Sequence, residues 1–249
     1  MVSSQTTPAR IRRATEADLE ELSSLLARSF ARDPFFHWVK GGTLRAVSSA
    51  NTEDPGELKA LEHMRYFQWS LARQFLFCGQ IDVVVIEVDG REKIVACTCW
   101  VEPGKTADPS PLFMLRMRIF RVWRAWGLKS ITRMLLDFLP RTEKVTKQAL
   151  RTRGLGLKDA WYLGIVSTDP EYEGLGYTSM MLRERFKTIG SNPVHLEATT
   201  PKSRDIYVHF GFQLIEPVIM GEGDVDSDGL VAQGEKATGV PSFVMVKWE

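Results

Sequence analysis

The sequence predicts an α/β protein, and three stretches carry that prediction. Two β-branched runs, 81–88 and 94–101, are joined by Asp89-Gly90, a strong hairpin signal. A third apolar run, 161–166, ends at a Gly-x-Gly turn, and apolar residues at helical spacing follow it. That order indicates a buried strand, a tight turn and a helix. We therefore expect a sheet flanked by helices.

The first half of the chain begins with a predicted strand at 9–14. Thr15, with Asp18 three residues later, resembles a helix N-cap, and the apolar stripe that follows predicts a helix ending at Asp33-Pro34. The apolar spacing over 57–77 predicts a long second helix before the hairpin.

The second half of the chain continues the alternation. Residues 194–198 predict a strand, Thr200-Pro201 a break and then a short helix. The last two strands are predicted at 212–220 and 242–248.

The glycine turn is a candidate anion site. Gly174-Leu175-Gly176 opens a helix predicted over 177–187, so unpaired backbone N–H groups lie at the positive end of the helix dipole. A P-loop would need Gly-Lys-Ser/Thr here, and a dinucleotide fingerprint would need a third glycine where Ser179 stands. Phosphate or pyrophosphate binding through the main chain is the remaining interpretation.

Two segments, 161–182 and 194–215, together resemble the GNAT acetyltransferase superfamily. The first is similar to its acetyl-CoA pyrophosphate loop, Gln/Arg-x-x-Gly-x-Gly/Ala. The second is similar to its Asn-x-x-Ala-x-x-x-Tyr-x-Lys-x-Gly-Phe segment, of which Tyr-x-x-x-Gly-Phe is identical. The matching positions are Gly174, Gly176, Thr200, Ser203, Tyr207, His209, Gly211 and Phe212. The second segment also resembles the puromycin N-acetyltransferase type, a small-molecule branch.

The resemblance implies a fold and an activity. The fold would be a mixed, mostly antiparallel twisted sheet that splays at its centre, flanked by helices. It would form a single domain over 1–249, with a helical insertion at about 105–158. The activity would be transfer of an acetyl group from acetyl-CoA, the acyl donor, to a primary amine of a small molecule. A non-catalytic CoA-binding or interaction module of the same fold is the alternative.

The resemblance also assigns site residues. Backbone amides near Val166 would face the thioester carbonyl, and amides from Gly174 to Ser179 would hold the pyrophosphate. Tyr207 would be the general acid toward the CoA sulfur, although a core tyrosine is the structural alternative. The implied cofactor-binding set is Val166, Ser167, Gly174, Leu175, Gly176, Tyr177, Thr178, Ser179, Thr200 and Ser203.

The general base is a separate question. Strand alternation would place His195 and Glu197 on one face, and a carboxylate in mid-strand is costly to bury unless it is paired or functional. Glu197 is therefore the first candidate for the base. A paired structural carboxylate is an equal alternative, Glu87 is the second candidate, and a water chain would also serve.

Four residues depart from the family pattern. Glu171 stands where the loop motif has Gln or Arg, and Glu173 adds a second carboxylate near the expected pyrophosphate. Thr178 brings a branched Cβ to the first helical turn, and Thr200 replaces Asn. Main-chain N–H groups, which do not depend on side-chain identity, would still bind the cofactor, so the departures leave weak binding or a non-catalytic descendant as alternatives.

The segment 105–158 is the unusual one, with 13 Lys and Arg against 3 Asp and Glu. Its apolar, helical part, 112–139, has three interpretations: a membrane-surface helix, an electrostatic funnel for an anionic cofactor or acidic acceptor, or an insertion that packs its Leu, Phe and Trp side chains on the sheet. The arginines do not segregate to one face, which favours the third interpretation over the first.

Two further patterns have structural and functional alternatives. The aromatic run 35–38 would lie over the acceptor site in a GNAT-like fold, or would fill core, which is favoured slightly. Residues 224–235 match the calcium-loop pattern D-x-D-x-D-G-x5-E, but their flanks read as strands where an EF-hand needs helices. A mobile hairpin tip is favoured, and no metal is predicted.

Composition bounds the remaining classes of function. Lys and Arg number 32 against 31 Asp and Glu, so there is no overall bias toward nucleic acid. Cys78, Cys97 and Cys99 are too few for a disulfide framework or a four-cysteine zinc site. The N-terminus lacks an apolar signal core and no uncharged stretch reaches membrane-spanning length, so a cytoplasmic protein is expected.

Overall fold

The computed structural model describes residues 9–42, 52–105 and 111–249, with side chains described in the last range from residue 114 onward. The α-helices are α1 Leu19–Ser29, α2 Pro34–Val39, α3 Pro55–Cys78, α4 Pro111–Arg116, α5 Ile119–Trp126, α6 Leu128–Thr132, α7 Leu139–Arg151, α8 Tyr177–Phe186 and α9 Pro201–His209. A π-helical turn, Arg133–Phe138, joins α6 to α7. The strands are β1 Arg10–Arg13, β2 Gln80–Val88, β3 Arg91–Val101, β4 Trp161–Thr168, β5 Val194–Ala198, β6 Gln213–Met220 and β7 Val240–Lys247.

One seven-stranded sheet has the order β1-β2-β3-β4-β5-β7-β6. Every neighbouring pair is antiparallel except β4 and β5, which are parallel. That parallel pair has two registered residue pairs, Trp161 with Val194 and Tyr162 with His195. Beyond Tyr162 the two strands diverge. The predicted fold class, a mostly antiparallel mixed sheet splayed at its centre and flanked by helices, is confirmed.

A β-bulge at Gly164 decides which side chains of β4 share a face. Leu163 pairs with Trp100 and Ile165 with Cys99, so Gly164 has no opposite residue on β3. The extra residue shifts the alternation, and Tyr162 and Ile165 both pack toward α1 and α3. A Cβ at Gly164 would overlap the Phe75 ring of α3, so this position admits only glycine at the present spacing.

The region around 35–38, predicted as a connection, is the short helix α2. Asp33 caps it by accepting from Phe35 N at 2.9 Å, and Pro34 occupies the first turn. All four residues of the aromatic run are buried, with Trp38 only 1% exposed. The core-filling interpretation of this run is therefore the correct one.

The segment between β3 and β4 is helical, as predicted, but its packing prediction is only half right. Val122, Trp126 and Phe138 are buried in one cluster with α2 and the strands β6 and β7. Other large apolar side chains of the same segment point outward and are half to three quarters exposed: Leu115 65%, Phe120 55%, Trp123 50%, Leu128 64%, Leu135 52% and Leu136 75%. The short helices and the π turn cannot bring every apolar residue inward.

The loop at 224–235 lies between strands, as its flanks predicted. Asp226 accepts from the backbone N–H groups of Asp228 and Leu230 at 3.0 and 2.9 Å, which closes the turn internally. The Asp228 carbonyl lies 2.9 Å from His37 Nδ1, so the loop is held against α2. Over the described ranges, no group of three or more His, Cys, Asp or Glu side chains is arranged to hold a metal ion.

The helices of the described part of the chain are all too short or too polar to cross a bilayer. Cys97 and Cys99 are buried on the same face of β3, and both are free thiols.

Candidate active site

The glycine loop has the backbone geometry of an anion cradle. Gly174 and Gly176 have φ of +77° and +81°, the left-handed region that favours glycine. The first hydrogen bond inside α8 is donated by Met180 N to Gly176 O at 2.9 Å. The amides of Tyr177, Thr178 and Ser179 precede it and no side chain caps them, so they are available at the positive end of the helix.

The two unexpected carboxylates of this loop each have a lysine partner. Glu171 lies 3.4 Å from Lys93 of β3, and Glu173 lies 3.4 Å from Lys202 of α9. The Lys93 side chain is 31% exposed and the other three are more exposed, so these ion pairs contribute little to stability. They do offset the negative charge that the sequence placed beside the expected pyrophosphate.

Thr178 is turned toward the end of β4. Its hydroxyl oxygen lies 3.2 Å from the Thr168 hydroxyl oxygen, which ties the first turn of α8 to the strand that precedes the loop. The branched side chain therefore has a structural contact, and the backbone amide of the same residue is left at the helix N-terminus.

The splay between β4 and β5 holds a cluster of three titratable side chains on the α3 side of the sheet. Tyr162 and His195 are opposite each other in the last registered pair, and their rings stack at 4.9 Å between centroids. Glu197 lies two residues beyond His195 on the same face, as alternation predicted, and the Tyr162 hydroxyl is close enough to lower its pKa. The carboxylate thus stands where the two strands part.

Burial sets the protonation of this cluster. It raises the pKa of Glu197 from 4.5 to about 7, and the Tyr162 hydroxyl lowers that pKa by a smaller amount. Burial lowers the pKa of His195 to about 4, so its imidazole is neutral near pH 7. The pKa of Tyr162 is raised, first by burial and then by the neighbouring Glu197 charge. Only Glu197 is poised to exchange a proton at neutral pH.

Tyr207 approaches the splay from the opposite face. It belongs to the cluster of α8, α9 and β5 residues, in which its ring lies 5.6 Å from that of Phe212. Its hydroxyl is close enough to Tyr162 to raise the pKa of that phenol. Burial raises the pKa of Tyr207 as well, so the hydroxyl keeps its proton at neutral pH and can act as a donor.

Thr200 and Ser203 form a capping box at the start of α9. Thr200 Oγ1 accepts from Ser203 N at 3.1 Å, and Ser203 Oγ accepts from Thr200 N at 3.2 Å. The neighbouring Thr199 hydroxyl donates to Asp33 at 2.6 Å, which fastens the N-terminus of α2 beside the end of β5. Cofactor contact by Thr200 and Ser203 stays a prediction.

Ser167 and Glu87, two further residues of the predicted site, have different surroundings. Ser167 is 5% exposed, and its hydroxyl has no hydrogen-bond partner in the described part of the chain. Glu87 is exposed beside the hairpin turn, opposite Glu92 of β3, and β3 separates its strand from β4. The structure therefore separates the second base candidate from the splay and leaves Glu197 within it.

Sequence reasoning missed Tyr162. The signal was present, because a polar-tipped aromatic residue stands at the second position of an otherwise apolar strand. Its partnership with Glu197 depends on the register of β4 against β5, which the sequence does not display. The structure therefore combines the splay, the free amides of α8, the titrating carboxyl group of Glu197 on one face and the protonated hydroxyl of Tyr207 on the other.

Comparison with protein families gives a match over one part of the chain. Residues 141–215 match the family model described as the acetyltransferase (GNAT) domain, and this range holds the glycine loop, Glu197 and Tyr207. The match and the splayed sheet agree on a GNAT-type fold.

Solved structures show the same fold. The chain is similar to the histone acetyltransferase HPA2 and related acetyltransferase from Corynebacterium glutamicum, with 22% identity, a TM-score of 0.55 and coverage of 96% of this chain and 95% of that one. It is also similar to arylalkylamine N-acetyltransferase 2 from Aedes aegypti, with 14% identity, a TM-score of 0.55 and coverage of 96% and 98%.

A curated relative, a probable serine/threonine-protein kinase of Dictyostelium discoideum, is 24% identical over 178 residues. The match covers 70% of this chain, but this chain spans only 17% of that protein's length. The resemblance to the puromycin N-acetyltransferase type stays a prediction.

Proposed function

We propose that the protein transfers an acetyl group from acetyl-CoA to the primary amine of a small molecule. The observation that carries this proposal is Glu197, a carboxylate placed at the splay with a pKa of about 7. A general base works best when its pKa is near the operating pH. A carboxylate that served only to hold the fold would be stabilised in its charged form by a cation, whereas Glu197 has the Tyr162 hydroxyl.

Each protein group has one task in the proposed reaction. Acetyl-CoA supplies the activated acyl group. The amides of Tyr177, Thr178 and Ser179 hold its pyrophosphate, and the diverging edge of β4 near Val166 positions the thioester. Glu197 accepts a proton from the acceptor ammonium, which frees the amine lone pair to attack the acyl carbon. As the carbon–sulfur bond breaks, Tyr207 donates its proton to the departing sulfur, so the thiol leaves neutral. The nitrogen loses its second proton as the amide forms, and that proton restores the Tyr207 hydroxyl.

The acceptor is assigned by class alone. An arylalkylamine N-acetyltransferase shares the fold, which supports a small-molecule amine. The aromatic run 35–38 does not supply an aromatic acceptor surface, because these side chains are buried in the core. We therefore assign a primary amine without a further constraint on its apolar part.

The alternative is a non-catalytic CoA-binding module. Its motivation, the acidic loop, is weakened because Glu171 and Glu173 are paired with Lys93 and Lys202. Both hypotheses require cofactor binding at the glycine loop, and thioester cleavage separates them.

Calorimetric titration with acetyl-CoA and with free CoA tests the binding step. We expect micromolar affinity for the unmodified protein and its loss in Gly176→Trp, because the indole would cover the amides of α8. Gly190→Trp is the matched control: Gly190 has φ of +67° and, like Gly176, has no atom within 4 Å of the position of an added Cβ. Equal loss in both variants would assign the effect to backbone strain.

A panel of primary amines with thiol detection then tests the reaction. Amine-dependent thiol release would support transfer, and binding without release for any amine would favour the non-catalytic module. Absence of binding at millimolar acetyl-CoA would refute both hypotheses.

A further inference from the structure

The helical segment between β3 and β4 presents large apolar side chains to solvent. We define the insertion face as Leu115, Phe120, Trp123, Leu128, Leu135 and Leu136, each at least half exposed. Scattered exposed apolar residues are ordinary, but six within 22 positions, including a Trp and a Phe, are not. Exposed apolar side chains at this density along one segment indicate a surface that is covered in use.

Basic side chains lie among these apolar ones. Arg116, Arg121, Arg124 and Lys129 are exposed, and in the ion pairs of the described chain none of the four has a carboxylate partner. On α5, Phe120 and Arg124 are four residues apart, and Phe120 and Trp123 are three apart, so these side chains are neighbours on one side of the helix. Val122 and Trp126 occupy its buried side.

Charge is also divided between this segment and the rest of the chain. Residues 105–158 carry 13 Lys and Arg against 3 Asp and Glu, and the other residues carry 19 against 28. The segment therefore has a net charge of +10 and the remainder −9. An anionic plane would attract the insertion face and repel the remainder, which orients the molecule as well as binding it.

We propose that the insertion face binds the surface of an anionic lipid bilayer. Trp, Phe and Leu side chains enter the boundary between headgroups and acyl chains, while arginine and lysine stems reach the lipid phosphates. The proposed contact is peripheral, and none of the described helices is long and apolar enough to span a bilayer. A second copy of the chain is a poorer occupant, because two faces of the same positive charge would repel each other.

The sequence disfavoured this interpretation because the arginines do not segregate to one helical face. That criterion assumes an isolated helix with one apolar face turned to lipid. Here the buried side of α5 packs on the protein, so its apolar and basic residues must share the outward side. Mixing of the two types on one exposed surface is therefore what a protein-supported interfacial segment requires.

Vesicle co-sedimentation of the full chain tests the proposal. Vesicles of phosphatidylcholine with 30% phosphatidylserine are compared with pure phosphatidylcholine at ~0.1 M salt. We expect binding to the anionic vesicles and at least a tenfold weaker partition onto the neutral ones. At about fivefold for each charge, Arg121→Gln with Arg124→Gln should weaken binding about 25-fold.

Two double variants separate the apolar contribution from general surface hydrophobicity. Phe120→Ser with Trp123→Ser should lower vesicle binding by more than tenfold. Leu214→Ser with Val231→Ser removes two exposed apolar side chains, 42% and 62% exposed, outside the segment and should leave binding unchanged. Far-ultraviolet circular dichroism and a thermal melt confirm that each variant is folded.

Three results would overturn the proposal. They are absence of binding to anionic vesicles, equal loss in both double variants, and insensitivity of binding to Phe120→Ser with Trp123→Ser in a folded protein. Sedimentation velocity adds a fourth: if the unmodified chain self-associates and Phe120→Ser with Trp123→Ser makes it monomeric, the face binds a second copy.

Discussion

Replacement of Glu197 by glutamine tests the proposed base directly. The amide cannot accept the proton of the acceptor ammonium, so we expect kcat/KM at pH 8 to fall by about 10² to 10⁴. With a pKa of about 7, Glu197 is ~10% ionised at pH 6 and ~90% ionised at pH 8. The activity of the unmodified enzyme should therefore rise about tenfold over that range, and the variant should lack this rise.

The same substitution has a predictable effect on stability. Burial raises the pKa of Glu197 from 4.5 to about 7, and at ~1.36 kcal/mol for each pKa unit this amounts to about 3 kcal/mol. Between pH 4.5 and 7 the unfolded chain loses this proton while the folded chain keeps it, so the free energy of unfolding falls as pH rises. The glutamine side chain does not titrate. From pH 4.5 to 7, the free energy of unfolding of Glu197→Gln should therefore rise by about 3 kcal/mol relative to that of the unmodified protein.

His195 acts in the opposite direction, because its pKa is lowered from 6.5 to about 4 and stability rises with pH between those values. Its contribution is common to both proteins and cancels in their difference. Denaturant unfolding at pH 4.5 and 7.5 measures that difference.

Glu87→Gln, at an exposed carboxylate of β2, is the control and should change neither activity nor its pH dependence. If Glu197→Gln retained kcat/KM within threefold and kept the pH profile, Glu197 would not be the base. If the stability difference were the same at both pH values, the carboxyl group would not be held protonated by the fold.

Two further substitutions probe the other face of the splay and the bulge. Tyr207→Phe should lower kcat at least tenfold with little change in the acetyl-CoA dissociation constant. Thiol-release assays measure kcat, and calorimetry measures the dissociation constant. An unchanged kcat would show that Tyr207 takes no part in the proton transfer. Gly164→Val should destabilise the fold by about 1–3 kcal/mol in denaturant unfolding, because its side chain would meet the Phe75 ring, and a neutral result would mean that the bulge can relax.

Local sequence signals predicted most of the elements that build the site. The Asp89-Gly90 pair predicted the hairpin of β2 and β3, and both residues have positive φ, which such a turn requires. The glycine turn opened α8, and the break at Thr200 started α9. These features depend on residues adjacent in the chain. Helix α2 was missed, although Asp33-Pro34 is a start signal as well as a stop.

The unpredicted features depend on distant pairings. The sequence indicated that the Glu171 charge would repel a bound anion. Its partner, Lys93, is 78 residues away in the chain, so the sequence did not show that this charge is offset. Tyr162 became part of the site only through the register of β4 against β5. The outward direction of Phe120 and Trp123 follows from how a chain of short helices packs, which the apolar count of the segment does not reveal.

The two registered pairs between β4 and β5 divide the sheet into four strands on one side and three on the other. The hydrogen-bonded ladder of the sheet narrows here to Trp161 and Tyr162 against Val194 and His195. The two halves of the sheet are joined at this seam by fewer registered residue pairs than any other two neighbouring strands of the sheet. A molecule bound across the seam would join them, so part of its binding free energy would be measured as resistance of the whole sheet to unfolding.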